Sequence, residues 1–130
     1  MRKETAWPLP RGPVVWIVDS EQWPRACLRA ELIERGYDAH GFLTINDALD
    51  ALRRGVSPKP EALVLELRGQ DCTPQLIESI RNLGAPTILL GGGSELNDPE
   101  IAKRQWDGIL KRPFSLGTVA DLVEKLVPKD

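Results

Sequence analysis

Four places in the chain end an apolar run with side chains that could meet a ligand. Asp19, Ser20 and Glu21 follow VVWIV, Glu66 closes ALVLE, Gly91 to Ser94 follow TILL, and Arg112 follows GILK. Carboxylates hold hard cations, so Asp19 and Glu66 are candidates for a metal ion, though weak ones, because such an ion needs several well-placed acids. Successive backbone N–H groups in a glycine run can cradle an anion, although a short run of this kind is more often a permissive loop. The planar fork of Arg112 can pair bidentately with a carboxylate. No nucleophile with a base beside it and no metal triad is visible, so the pattern does not read as an enzyme and implies no cofactor. His40 has no Cys, His or acid clustered with it in the pattern and reads as a surface residue. Cys27 and Cys72 are too few and too far apart for a disulfide framework or a zinc site and read as small packing residues.

The elements that would position these residues follow from periodicity. Apolar runs alternate with helix-period stretches, the pattern of a βα repeat around a parallel sheet. Strands are expected over Val14 to Asp19, Tyr37 to Phe42, Ala62 to Leu67, Pro86 to Gly91 and Gly108 to Arg112. The third is the most β-like and belongs at the sheet centre, and the short, mixed second belongs at an edge. Helices are expected from Pro24 to a cap at Gly36, from a Thr44 and Asp47 capping pair to Gly55, from Thr73 and Pro74 to Gly84, briefly from Asp98 and Pro99, and from Ser115 through Leu126. The expected architecture is a three-layer α/β domain with a five-stranded parallel sheet of order 2-1-3-4-5. In such sheets ligands sit beyond the carboxyl ends of the strands, where all four groups named above fall.

With 130 residues the chain has room for one domain, and 42% apolar against 28% charged residues with a net charge of −2 describe an ordinary globule rather than a disordered or nucleic-acid-binding chain. Residues 1–13 hold three prolines without periodicity and read as an extended arm, residues 14–127 as the domain and 128–130 as a tail. No run approaches a membrane span and the arm lacks the apolar stretch of a signal peptide, so a cytoplasmic protein is expected. Trp16 and Trp23 read as core or rim packing. Trp7, on the arm, is a candidate to dock on a partner or back onto the domain, and the sequence does not decide between them.

WIVDSE after the first strand, PEALVLEL around the third and KRPFS after the fifth, in this order and spacing, resemble the receiver domains of bacterial two-component response regulators, over roughly Val14 to Val127. The resemblance implies a flavodoxin-like fold, a cis bond before Pro113, two acids that hold Mg²⁺, an Asp that accepts a phosphoryl group, and a hydroxyl and a lysine that hold its oxygens. Position by position the chain departs from that set. Asp19 matches the first acid, but Ser20 replaces the second, Glu66 the phosphoacceptor, Gly91 the hydroxyl residue, Arg112 the lysine and Ile109 the aromatic switch residue. Glutamate's extra methylene displaces the attacking oxygen, and misplacement by roughly 1 Å can cost about 10²-fold in rate. Arg112 either bonds Glu66 directly or points to solvent.

The resulting expectation is a stand-alone degenerate receiver with a vestigial pocket of Asp19, Ser20, Glu66, Gly91 and Arg112, with Glu66 a fixed, imperfect mimic of the charged acid. It would signal by protein contact, with a sensor kinase or downstream effector as partner and homodimerisation possible. The contact face would comprise Trp106, Ile109 and Lys111, with Trp106 either an exposed anchor or packed on Lys103. A phosphorylatable receiver, modified at Glu66 or Ser20, and an anion- or nucleotide-binding module using Gly91 to Ser94 are the alternatives.

Overall fold

A computed structural model describes residues 12–129. The strands are β1 (Val14–Val18), β2 (Asp38–Phe42), β3 (Ala62–Glu66), β4 (Thr87–Gly91) and β5 (Gly108–Lys111), all parallel, in the order β2-β1-β3-β4-β5. The helices are α1 (Gln22–Glu34), α2 (Ile45–Arg53), α3 (Pro74–Arg81), α4 (Gly93–Leu96), α5 (Pro99–Ala102) and α6 (Leu116–Leu126). The expected fold is therefore present, with β3 central and β2 at an edge.

The central strands β1, β3 and β4 are apolar nearly throughout, with Glu66 and Thr87 the polar exceptions, because they are covered on both faces. In β1 the alternation sends Val15 and Ile17 into one core with Leu28 and Leu32 of α1 and Val119 and Val123 of α6, and Trp16 and Val18 into another with Ala48 of α2, Ile77 and Ile80 of α3 and Ile101 of α5. The expected caps also form. Thr44 Oγ1 accepts from Asp47 N–H at 3.0 Å, Thr73 Oγ1 from Leu76 N–H at 3.2 Å, Asp98 Oδ1 from Glu100 N–H at 2.9 Å and Ser115 Oγ from Thr118 N–H at 3.1 Å. Gly36, Gly55 and Gly84 follow α1, α2 and α3 with positive φ, the left-handed step that glycine takes without a Cβ clash.

Four expectations need correction. The brief helix opened by Asp98 and Pro99 is preceded by a separate turn, α4, so Gly92 to Asn97 is not a simple loop. Trp23 is not packed: it is 78% exposed on α1, whereas Trp16 is buried as expected. His40 is half-buried and bonded, its Nε2 3.1 Å from Asp38 Oδ1 and its Nδ1 3.3 Å from Ser57 Oγ, which accepts the Trp16 indole N–H at 3.0 Å. The β2 edge therefore holds a polar chain that satisfies a buried indole. Within the expected tail Lys129 is tied down, its Nζ 2.6 Å from Glu124 Oε2 and over the Tyr37 ring, whose hydroxyl donates to Val127 O at 2.6 Å. Residues 1–11 of the expected arm, with Trp7, lie outside the described residues.

Candidate functional site

The carboxyl ends of β1, β3, β4 and β5 bring Asp19, Ser20, Glu66, Gly91 and Arg112 to one end of the sheet, as expected. What lies between these residues is not an open pocket but a charge network. Glu66, the last residue of the central strand, is 3% exposed, and both of its carboxylate oxygens are engaged. Oε1 accepts from Arg112 Nη1 at 2.6 Å, and Oε2 accepts the backbone N–H of Arg68 at 2.9 Å. The direct Arg112 bond is thus present, but the fork is not bidentate on one acid. Its other arm, Nη2, donates to Glu95 Oε1 at 2.7 Å, and that same oxygen accepts the Gly92 N–H at 2.7 Å. One guanidinium therefore ties β3, the end of β5 and the α4 turn. The Arg112–Pro113 bond is cis.

Glu95 also accounts for the glycine at position 91. A Cβ on Gly91 would come 3.2 Å from Glu95 Oε1 and 3.4 Å from Leu67 Cδ1, so the acid takes the space that a hydroxyl side chain would need. The glycine run has no positive φ and makes no nest: Gly92 is the cap of α4 and its N–H is consumed by Glu95.

At β1, Asp19 is buried, and its Oδ1 accepts the Glu21 N–H at 2.9 Å. Arg68 stands against it, with Nη2 3.6 Å from Asp19 Oδ1 and Nε 3.2 Å from Glu21 Oε2; the second is an ion contact without hydrogen-bond alignment. Ser20 turns away and donates from Oγ to Arg68 O at 3.0 Å. Gly69, at φ 76°, packs so closely on Ser20 that any Cβ there would collide with its hydroxyl. Burial pushes the Asp19 carboxyl above its ordinary range, and the nearby Glu66 charge adds to this, while the Glu21 N–H and Arg68 oppose it. The bond to Glu66 is the main cause that raises the Arg112 guanidinium further still.

This donor set does not fit Mg²⁺. It offers one buried acid, a hydroxyl that points to a carbonyl, a glutamate with both oxygens taken and a guanidinium within ion-pair reach of Asp19; among the described residues no cluster of three His, Cys, Asp or Glu is arranged to hold a metal. Sequence reasoning missed Arg68 and Glu95. Two basic residues at strand ends facing several acids were a signal for the first, but the second depends on α4, which three glycines concealed.

On the proposed contact face, Ile109 is 52% exposed and Lys111 is exposed. Trp106 is the packed alternative: its indole N–H donates to Ile101 O at 2.9 Å and Arg81 lies 5.6 Å over its ring.

No protein-family model matches the chain, and no curated protein matches it in sequence. Solved structures do match. A response regulator receiver protein from Pseudomonas putida superposes with a TM-score of 0.72 at 23% identity, over 90% of this chain and 99% of that one. A Francisella response regulator receiver domain gives 0.69 at 23% identity over 88% and 95%, and a response regulator from Thermotoga maritima 0.70 at 19% over 88% and 97%. The chain has the receiver fold.

Proposed function

We propose that the chain is a signalling module of receiver fold that acts through protein contact, with its strand-end site held in one state by its own arginines instead of being switched by phosphoryl transfer. The observation that carries this reading is Arg112, bonded at once to Glu66 at 2.6 Å and Glu95 at 2.7 Å. A cation already neutralises the acid that would be the acceptor, and a second cation, Arg68, stands beside Asp19 in place of a metal. Glu66 then supplies a fixed negative charge with fewer oxygens than a phosphoryl group and no means of removal. Its state reaches the α4 turn through Arg112 without any modification. The face bearing Ile109 and Lys111, flanked by half-buried Trp106, is the proposed surface for a kinase or effector. Among the described residues no helix is long and apolar enough to cross a membrane.

The test is a pair of amide NMR spectra with and without Mg²⁺ plus beryllofluoride, a mimic of an aspartyl phosphate. The expected result is unchanged shifts. Shifts centred on Asp19, Glu66 and Gly91 and spreading to Trp106 would establish a working switch and overturn the reading.

A further inference from the structure

Helix α1 is apolar on two opposite sides. Leu28 and Leu32 face the sheet and are buried. The other side presents Trp23, Ala26, Ala30 and Ile33, all exposed, with Trp23 at 78% and Ile33 at 47%. Their spacing of three, four and three residues is that of the a and d positions of a heptad, the seam by which one helix packs along another. The two alanines leave the middle of the seam low, so that a second backbone can approach, and the larger residues close its ends. Val56, 69% exposed, borders the same groove beside Ala26, Ala30 and Ile33.

The charges beside the seam indicate the occupant. Arg29 lies on one flank and Glu34 on the other, five residues on. Arg29 spends its Nε–H on Ala39 O at 2.9 Å, and among the described residues neither side chain has an ion-pair partner within the chain. Five residues from a g position to the following e position is the separation that pairs charges between parallel helices. In an antiparallel pair the Arg29 flank would meet Gln22 and the Glu34 flank would meet Cys27, and neither charge would be matched.

We propose that α1 pairs in parallel with α1 of a second copy of this chain, with Arg29 of each copy against Glu34 of the other. The seam lies opposite the face packed on the sheet, so the pairing puts the two domains on opposite sides of the helix pair. Four seam positions bury less than the roughly 1,200 Å² at the lower end of stable interfaces, so the dimer is weak and forms with rising concentration. The inference is independent of the strand-end site.

Sedimentation equilibrium of the full chain tests it, with a concentration-dependent dimer as the expected result. Ala30→Glu puts two carboxylates into the seam and should leave only monomer; as Ala30 is exposed, the melting curve should not change. Glu34→Arg, which breaks no bond among the described residues, should weaken the dimer several-fold, and adding Arg29→Glu should restore it. In a Cys27→Ser, Cys72→Ser background, Ala30→Cys should cross-link to itself on mild oxidation, which an antiparallel pair would not allow. A chain that stays monomeric to about 1 mM, the limit of weak association, would overturn the proposal. So would a dimer indifferent to Ala30→Glu, since it would use another face. If the monomer instead takes up a helix of another protein on this seam, the proposal fails as well.

Discussion

Arg112 shows how much one side chain can carry when it meets a buried acid. Removing it as Arg112→Ala leaves Glu66, 3% exposed, without its cation, and breaking a buried pair from one side is costly because the remaining charge stays desolvated. Arg112 itself is 32% exposed, so water offsets part of the loss, and a cost of about 2 kcal/mol in urea denaturation is expected. Adding Glu66→Gln should recover much of it, since the uncompensated charge is then gone. Equal losses in the single and double variants would contradict the pairing. That residues 66 and 112 meet at one end of the sheet was legible in the sequence because both sit at strand ends whose spacing the βα repeat sets, but whether Arg112 bonds Glu66 or points to solvent was not. The roles of Arg68 and Glu95 were not legible, because each depends on how a loop folds back over the sheet.

At the scale of elements, what was local in the sequence was readable. Caps at Thr44, Thr73, Asp98 and Ser115 depend only on a side chain and a backbone N–H two or three residues on, so residue type sufficed. The α4 turn escaped because Glu95, not the glycines, makes it: its carboxylate fastens Gly92 and is held in turn by Arg112. His40 escaped for a related reason, since its partner Ser57 comes from the segment that leads into β3. Ser57 also carries a prediction about the β1–β2 edge. Ser57→Ala leaves the Trp16 indole N–H, in a side chain only 1% exposed, without an acceptor. An unsatisfied buried donor costs about 1–3 kcal/mol, to be read as a lower urea midpoint with an unchanged slope. No loss of stability would mean that another acceptor replaces the hydroxyl.

For the molecule as a whole, charge clasps set the response to acid. Arg35 of α1 reaches Asp121 at 2.7 Å and Glu124 at 3.1 Å on α6, and Lys129 returns to Glu124. The Lys129 bond lowers the Glu124 carboxyl below its ordinary value, as Lys103 lowers Glu100, so in that range the unfolded chain binds more protons than the folded one. Stability from these two groups is full above the ordinary glutamate value of 4.5 and declines as pH falls through their lowered values. Asp19 acts in the opposite sense: its raised carboxyl makes the folded state hold a proton more tightly, which offsets the decline as pH falls through that raised value toward the ordinary 3.8. Asp19→Asn should therefore make the fall of melting temperature with acidification steeper, and a parallel or shallower curve would refute this assignment. The double grip of Arg112 on Glu66 and Glu95 has a further consequence for the history open to such a chain. Glu66→Asp alone shortens the reach to the guanidinium, and Arg112→Lys alone abandons one of two acids. A hydroxyl residue at position 91 meets Glu95, and an acid at position 20 must displace the hydroxyl that packs against Gly69. Each of these single substitutions strains the network on its own, so the arrangement is a ratchet whose members change together or not at all.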